Sequence, residues 1–290
     1  MADDAPPAPA PMTPTVAGAM AEARRLGVDR LDVQLLLGAV LDRPRAWLLA
    51  HDDAPLDAAQ ARRVADALRE RAAGVPLAYL AGVQAFCGLE LAVGPGVLVP
   101  RPETEGLVEW ARECLAGRRA PRAVDLGTGS GAIALALKSS CPDAAVTAVE
   151  RSAAALAIAR ANGRRLGLTV DWRAGDWWSP LGAQRFDLVV SNPPYVAAGD
   201  PHLAALRHEP AQALVAGPDG LDDLRRIVAG VPGHLRPGGW LLLEHGHDQG
   251  PAVRALLAAA GFGDVATRRD LAGMDRCSGG RMPRRGARTN

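Results

Sequence analysis

The chain has 290 residues, of which 48% are hydrophobic and 4% aromatic, and its formal net charge is +1. This length predicts one large domain or two smaller ones, with a core built mainly from Leu, Val and Ala. The near-zero net charge argues against a protein whose main task is to neutralise the phosphates of a nucleic acid.

The cysteines and the N-terminus point to a cytoplasmic protein. Cys87, Cys114, Cys141 and Cys277 lie far apart and form no Cys-x-x-Cys pair. This spacing favours thiols in a reducing compartment. No apolar run approaches membrane-spanning length, and the acidic, Pro- and Ala-rich residues 1–14 do not resemble a signal peptide. We therefore predict a disordered tail over residues 1–14, a cytoplasmic location and no association with a membrane.

Residues 15–82 are predicted to form a small helical domain. One helix is marked by apolar residues at helical spacing, namely Leu31, Leu35, Leu36, Val40 and Leu41. Another begins after Asp57, contains Val64 and Leu68 on one face, and ends before Gly74. No catalytic pattern occurs in this stretch, so we expect a helical bundle whose function is to dock the substrate.

Residues 83–100 are predicted to form a β-hairpin linker. Two β-rich runs lie on either side of Gly94-Pro95-Gly96, a sequence that is typical of a turn. The hairpin is therefore expected to turn at these three residues.

From residue 101 to residue 283 the pattern alternates between strands and helices. Apolar runs occur at residues 123–126, 145–150, 168–172, 186–190 and 240–244. This alternation predicts an α/β domain with a parallel sheet that is covered on both faces. Residues 237–239, Pro-Gly-Gly, are predicted to turn into the last of these strands. The basic residues 284–290 are predicted to be a solvated tail.

A glycine-rich loop follows the first strand of this domain. Residues 127–131 read Gly127, Thr128, Gly129, Ser130 and Gly131. Glycines here permit a tight turn and let a ligand approach the backbone, while the next helix presents free N–H groups. The loop is not a P-loop, because no Gly-Lys-Ser/Thr sequence follows it, and it lacks the glycine spacing of a hydrolase nucleophile elbow.

The acidic residue at the end of the second strand indicates an adenosine-containing cofactor. Glu150 lies 23 residues after Gly127, where a carboxylate can accept hydrogen bonds from both hydroxyls of a ribose. The sequence VDLGTGSG looks more like the S-adenosylmethionine version of this loop than the NAD version, with Asp125 near the cofactor's ammonium group or its water network. Asp176 and Trp177 follow the third strand, where an adenine ring can be bonded and packed, although core packing explains Trp177 equally well.

The sequence Asn192-Pro193-Pro194-Tyr195 follows the fourth strand and predicts a second site. Its prolines give a rigid backbone at the carboxyl edge of the sheet, where ligands bind in such folds. The Asn192 side-chain oxygen and the Pro193 carbonyl can accept both N–H bonds of a planar amino group, and Tyr195 offers a face for stacking. Two acceptors would stabilise the positive charge that develops on a methylated nitrogen. No metal is required for this chemistry.

Taken together, these motifs resemble those of a known family. The motif Asn-Pro-Pro-Tyr is similar to that of amino-group methyltransferases that act on nucleobases or on glutamine. The segments VLVPRPETE (97–105), VDLGTGSGAIALAL (124–137), GDWW, SNPPYV, EPAQALVAGPDGLD (209–222) and LLLEHGHDQG (241–250) resemble the bacterial HemK/PrmC family of protein-(glutamine-N5) methyltransferases. The resemblance covers about residues 15–283.

The resemblance implies a Rossmann-like, class I S-adenosylmethionine-dependent methyltransferase domain after a small helical domain and a β-hairpin linker. It implies that the substrate is the glutamine of the Gly-Gly-Gln motif in class-1 peptide chain release factors. Residues 127–131, Glu150, Trp177 and Asn192 would contact S-adenosylmethionine, and residues 192–195 would hold the glutamine amide. Residues 101–105 would close the pocket. No stable binding of nucleic acid is expected.

Some residues depart from the family pattern and leave alternatives open. Glu150 occupies a position where aspartate is usual, and Cys87 replaces a more usual aromatic residue. Cys87 and the segment RHEP (207–210) are also similar to the enzymes that methylate a glutamine of ribosomal protein L3. A DNA or RNA amino methyltransferase is a more distant alternative that rests on the Asn-Pro-Pro-Tyr motif. A non-catalytic module with the same fold is the remaining one.

Overall fold

The structure is a computed structural model that describes residues 14–284. It divides into two compact units, Met1–Ala81 and Gly82–Asn290. The predicted tails, 1–14 and 284–290, lie almost entirely outside the described residues. Within residues 14–284, no helix is both long enough and apolar enough to cross a bilayer.

The first unit is helical. It contains α1 (Val16–Arg25), α2 (Arg30–Leu41), α3 (Arg45–Ala50), α4 (Ala58–Ala72) and α5 (Leu77–Ala81). Helix α4 begins where the sequence predicts, because the Asp57 carboxylate accepts hydrogen bonds from the first turn and the Gln60 side-chain oxygen accepts one from the Asp57 N–H.

The packed face of α2 agrees with the predicted one at Leu36, Val40 and Leu41 and differs from it at Leu31 and Leu35. Leu31 and Leu35 are 45% and 44% exposed, whereas Val33 and Leu37 are buried. The spacing of leucines alone did not separate the two faces, because the consecutive residues Leu35, Leu36 and Leu37 place apolar side chains on more than one side of the helix.

A β-hairpin opens the second unit, but its turn is not where the sequence predicts. Strands β1 (Val83–Phe86) and β2 (Leu89–Ala92) pair in antiparallel fashion around Cys87 and Gly88. These two residues have φ values of 48° and 75°, which is the conformation of a two-residue turn that matches the twist of the strands. The prediction of a turn at Gly94-Pro95-Gly96 is wrong, since these residues follow the second strand.

The second unit is built on a seven-stranded sheet. Its strands are β3 (Arg122–Leu126), β4 (Ala145–Glu150), β5 (Asp171–Ala174), β6 (Phe186–Ser191), β7 (Leu235–Glu244), β8 (Gly263–Arg269) and β9 (Asp275–Arg281). Their order is β5-β4-β3-β6-β7-β9-β8. The first five are parallel, as predicted, and β9 pairs antiparallel with both β7 and β8.

Helices connect these strands, and most of the sheet is buried. The helices are α6 (Glu105–Leu115), α7 (Ala132–Ser140), α8 (Ala153–Leu166), α9 (Asp222–His234) and α10 (Gly250–Ala259). Separate groups of buried apolar side chains contain alternate residues of the same strands, for example Ala123 in one and Val124 in the other. Since side chains alternate across a strand, the sheet has a core on each face.

Two strand boundaries also differ from the prediction. Strand β5 begins at Asp171 rather than at residue 168, and β7 begins at Leu235, so that the Pro-Gly-Gly sequence at 237–239 lies within the strand and not before it. The pairing of β6 with β7 is irregular at this point, between Phe186 and Leu188. An irregularity in the ladder accommodates a proline and two glycines that a regular central strand would exclude.

The strand order places the predicted motifs together. The chain runs outward from β3 to β4 and β5, then returns to the other side of β3 to form β6. In open α/β sheets, ligands bind beyond the carboxyl ends of the strands at the point where the order reverses. The glycine loop follows β3, Glu150 ends β4 and Asn192 follows β6, so these three surround that point.

Candidate functional site

A cavity lies at this reversal point. Its empty space, counted together with the open solvent at its mouth, is about 920 Å³. Its lining includes Gly127–Ser130, Glu150, Asp176, Trp177, Asn192 and Pro194. Three predicted site residues do not line it, namely Gly131, Pro193 and Tyr195.

The glycine loop has the backbone that the sequence predicts. Gly127, Gly129 and Gly131 have φ values of 73°, 56° and 87°, which favour glycine strongly. A Cβ atom on Gly127 would lie 3.1 Å from the Trp177 ring, and one on Gly131 would lie 3.0 Å from the Trp172 ring. Gly131 therefore lets α7 pack closely, while Gly127 and Gly129 lie at the cavity.

The buried carboxyl group of Asp125 forms hydrogen bonds with the glycine loop and with the helix that follows it. Asp125 is 1% exposed, and its Oδ2 atom accepts hydrogen bonds from the Thr128 hydroxyl at 2.5 Å and from the Ala134 N–H at 3.2 Å. Burial raises the pKa of Asp125 to about 7, although these two hydrogen bonds oppose the shift. Its Oδ1 atom is buried without a hydrogen-bond partner among residues 14–284.

The raised pKa of Asp125 predicts a pH dependence of stability. The folded protein holds this proton up to about pH 7, whereas the unfolded chain releases it near pH 4. The stabilisation is present at low pH and is lost as pH rises through about 7. As pH rises from 5 to 7, the unfolding free energy of the wild type should fall because of this proton. In Asp125→Asn, which carries no such proton, we expect the fall to be smaller by about 1–3 kcal/mol. Urea denaturation across this range measures the difference, and parallel pH profiles would contradict it.

Glu150 links the ends of two loops. It is 9% exposed, and its two carboxylate oxygens accept hydrogen bonds from the Gly129 N–H at 2.9 Å and from the Ser152 N–H at 2.8 Å. Each carboxylate oxygen can accept a further bond. The glutamate at this position therefore holds the glycine loop and still has acceptor capacity at the cavity.

Asp176 and Trp177 line the cavity beside the glycine loop. Trp177 has a φ of 44° and is 8% exposed. Its ring packs in the apolar core and also contributes to the cavity wall. Asp176 accepts a hydrogen bond from Arg226 at 2.6 Å through Oδ2, while its Oδ1 is buried without a partner among residues 14–284.

The Asn192 amide is held from one side only. Its Nδ2 donates to the Thr104 hydroxyl oxygen at 3.2 Å. Its Oδ1 is buried and has no partner within residues 14–284. A buried acceptor that is left unpaired is costly and rare, so this oxygen is a candidate acceptor for a ligand N–H group.

Tyr195 follows the two prolines and does not line the cavity. Its hydroxyl donates to Glu244 Oε1 at 3.3 Å, and its backbone carbonyl accepts from Gln249 Nε2 at 3.0 Å. The next residue, Val196, pairs its backbone with the chain around Val215. The segment after the prolines is thus fixed by its surroundings.

Residues 101–105 have separate roles in the structure. Arg101 forms an ion pair with Glu209, Thr104 holds Asn192, and Glu105 accepts a hydrogen bond from the Cys87 N–H at 2.8 Å. The Arg101 contact connects the two segments that border the cavity. Thr104 and Glu244 lie in the segments PRPETE and LLLEHG, which the sequence analysis singled out. No neighbouring residue in the sequence indicated which side chains these two contact.

The ion pair between Arg101 and Glu209 is expected to stabilise this border. The Glu209 side chain is 2% exposed and also accepts the Val99 N–H at 2.9 Å. Glu209→Gln should lower the unfolding free energy by about 1–3 kcal/mol, because it leaves Arg101 without its charged partner. Glu113→Gln is the control, since it removes an ion pair whose side chains are 53% and 42% exposed and should change stability by less than about 1 kcal/mol. Equal losses of stability in urea denaturation would contradict this expectation.

The four cysteines take no part in this site as ligands or disulfides. All four are free thiols. Burial raises the pKa of Cys87 and of Cys114 to about 12. These side chains therefore lack the thiolate character of a nucleophile or a metal ligand.

Comparison with known proteins identifies the family. Residues 17–82 match the model of the PrmC N-terminal domain, and residues 109–217 match that of the methyltransferase small domain. The release factor glutamine methyltransferase of Bordetella pertussis is 53% identical over 88% of this chain and 95% of its own length. The enzyme of the same name from Burkholderia pseudomallei is 49% identical over 93% of this chain and 98% of its own length.

A solved structure agrees with the fold. A 16S rRNA methyltransferase of T. thermophilus, in complex with AdoMet and guanosine, superposes with a TM-score of 0.52 at 24% identity, and the match covers 69% of this chain and 49% of that one. This likeness confirms the predicted class I methyltransferase fold. With relatives at about half identity over nearly their full length, the chain belongs to the release factor glutamine methyltransferase family.

Proposed function

We propose that this chain transfers a methyl group from S-adenosylmethionine to the N5 side-chain amide of the glutamine in the Gly-Gly-Gln motif of class-1 peptide chain release factors. The observation that carries this proposal is the buried Oδ1 of Asn192 at a cavity wall, which has no partner within residues 14–284, in a chain of this family. Methyl transfer to an amide nitrogen is favoured by a fixed acceptor for the charge that develops on that nitrogen.

The cavity fits S-adenosylmethionine. Glu150 has acceptor capacity for two ribose hydroxyls, the glycine loop leaves room for close approach to its backbone, and Trp177 supplies an apolar wall. The unpaired Oδ1 of Asp176 can accept from an amino group. When bound, S-adenosylmethionine supplies an electrophilic methyl group next to a positive sulfur.

The segment Asn192-Pro193-Pro194-Tyr195, called the proline corner here, would activate the glutamine nitrogen. An amide nitrogen is a poor nucleophile, because its lone pair is delocalised into the carbonyl group. Asn192 Oδ1, with the Pro193 carbonyl as a second acceptor, would stabilise positive charge as it develops on that nitrogen, and fixed acceptors need no reorganisation. Pro194 lines the cavity. The contact of the glutamine amide with Pro193 and Tyr195 is part of the proposal.

A side-by-side labelling assay tests the proposed function. Purified protein and S-adenosylmethionine with a labelled methyl group are incubated with both release factors, with ribosomal protein L3 and with RNA. We expect label on a release factor and none on a variant factor in which the motif glutamine is replaced by asparagine. Unlabelled release factors would refute the proposal, and label on L3 or RNA would identify the substrate class instead.

The comparisons do not favour the L3 alternative. The curated relatives reported above are release factor glutamine methyltransferases. Cys87, which suggested the alternative, occupies a hairpin turn with positive φ and is fixed by the Glu105 carboxylate. A cytoplasmic location and the lack of stable nucleic-acid binding stay predictions.

A further inference from the structure

A buried carboxyl group lies next to the proline corner. Glu244 is the last residue of β7 and is 1% exposed. Because Leu243 pairs with Ser191 across the sheet, Glu244 ends its strand beside Asn192. The roles proposed for the cofactor and substrate residues do not use this carboxyl group.

Glu244 is connected to both sides of the corner. Its Oε1 accepts the Tyr195 hydroxyl at 3.3 Å. Its Oε2 is buried and has no hydrogen-bond partner among residues 14–284. The Thr104 hydroxyl lies beside this carboxyl group, because hydrogen bonding by Thr104 is one of the causes that hold the pKa of Glu244 down. The Thr104 hydroxyl oxygen in turn accepts a hydrogen bond from Asn192 Nδ2 at 3.2 Å.

The groups around Glu244 set its charge. Burial raises the pKa of Glu244 to about 7, while hydrogen bonding by Thr104, the charge of Arg276 and the Tyr195 hydroxyl oppose the shift and the charge of Glu103 adds to it. Cys277 of β9 pairs with Glu244 across the sheet. Burial raises the pKa of the Cys277 thiol, so this thiol is uncharged. Above about pH 7 the carboxyl group is therefore an anion.

The charge of Glu244 determines how the neighbouring hydrogen bonds run. A carboxylate only accepts, so the hydroxyl proton of Thr104 is directed to it. The Thr104 oxygen is then left as an acceptor, which draws the NH₂ group of Asn192 toward it and turns Oδ1 into the cavity. If the Thr104 proton pointed to Asn192 instead, the amide would turn over and present a donor to the substrate N–H groups.

We propose that Glu244 is a positioning residue that, through the Thr104 hydroxyl, fixes which end of the Asn192 amide faces the substrate. This inference rests on the proposed function, because it concerns the acceptor for the glutamine amide. It assigns to the LLLEHG segment a role in orienting the site without contact with the reacting atoms.

The kinetic test uses Glu244→Gln at pH 8.5. Glutamine has the same shape but can donate to Thr104 and reverse the hydrogen bonds. We expect kcat for release-factor methylation to fall at least about tenfold, with the dissociation constant of S-adenosylmethionine within about twofold by calorimetry. Asp187→Asn is the matched control, because it removes a largely buried carboxylate, 13% exposed, at the other end of β6; its kcat should stay within about twofold.

A double variant separates positioning from packing. If Glu244 acts through Thr104, then adding Glu244→Gln to Thr104→Val should lower kcat by no more than about twofold beyond Thr104→Val alone. Independent, multiplying losses would overturn the proposal. So would a Glu244→Gln enzyme whose kcat is within about twofold of the wild type.

A measurement without turnover tests the orientation directly. The chain has three asparagines, Asn162, Asn192 and Asn290, so ¹⁵N-asparagine labelling gives few side-chain signals, and Asn192→Ala assigns the relevant one. We expect a nuclear Overhauser contact between the Asn192 NH₂ protons and the Thr104 methyl group in the wild type, and its loss in Glu244→Gln. A contact that is unchanged in Glu244→Gln, or that is absent in the wild type, would overturn the inference. This result does not depend on turnover, whereas a wild type that labels no release factor would refute the proposed function separately.

Discussion

Asn192→Ala is expected to lower kcat for release-factor methylation about 10²–10³-fold, the usual cost of removing one fixed partner of a developing charge. Asn192 Oδ1 is buried at the cavity and has no partner among residues 14–284, so substrate is its natural partner. The dissociation constant of S-adenosylmethionine should change by less than about threefold, because Glu150 and the glycine loop are untouched. Methyl transfer at saturating concentrations of both substrates measures kcat, and calorimetry measures cofactor binding.

The neighbouring Ser191 provides a control for this variant. Its hydroxyl donates to the Leu126 carbonyl at 2.6 Å, and the side chain is fully buried in the sheet. Ser191→Ala perturbs the same segment without removing an acceptor from the cavity, and its kcat should stay within about threefold. Weaker cofactor binding in Asn192→Ala with unchanged turnover at saturation would show that Asn192 serves the cofactor instead.

The parts of the fold that were predictable have local signals. Helix α4 begins at Asp57 because a side chain caps it there, and β4 matches its apolar run from Ala145 to Glu150 residue for residue. The glycine loop could be assigned because its backbone conformation restricts the residue type. In each case the physical cause lies within a few residues of the effect.

The parts that were missed depend on contacts distant in sequence or on half-exposed strands. The hairpin turn uses Cys87 with a φ of 48°, a conformation that local propensity assigns to glycine, so Gly94 and Gly96 were the stronger signal. Strand β8 is mostly exposed, and its arginines hide the alternation. Tyr195 and Glu244 are 49 positions apart, and Asn192 and Thr104 are 88 apart, so no local pattern reports these pairs.

Glu150→Ala should weaken the binding of S-adenosylmethionine about 10–100-fold. The proposed acceptors of the ribose hydroxyls would be lost, and a hydrogen bond to a charged group is worth about 1.5–3 kcal/mol. The loss also frees the Gly129 and Ser152 N–H groups that Glu150 now binds, which should loosen the glycine loop. Calorimetry of cofactor binding measures the effect, and kcat at saturating cofactor should change little, because Asn192 keeps its place.

Glu150→Asp separates the effect of the carboxylate group on cofactor binding from the effect of the side-chain length. Aspartate keeps the charge and both acceptor oxygens, and it is the usual residue in the family that the sequence resembles, so we expect cofactor binding within about fivefold of the wild type. Glu150→Gln keeps the length but loses the charge that strengthens these bonds, so it should bind more weakly than Glu150→Asp. The reverse order would mean that Glu150 acts by spanning Gly129 and Ser152, and unaltered binding in Glu150→Ala would exclude it from the cofactor site.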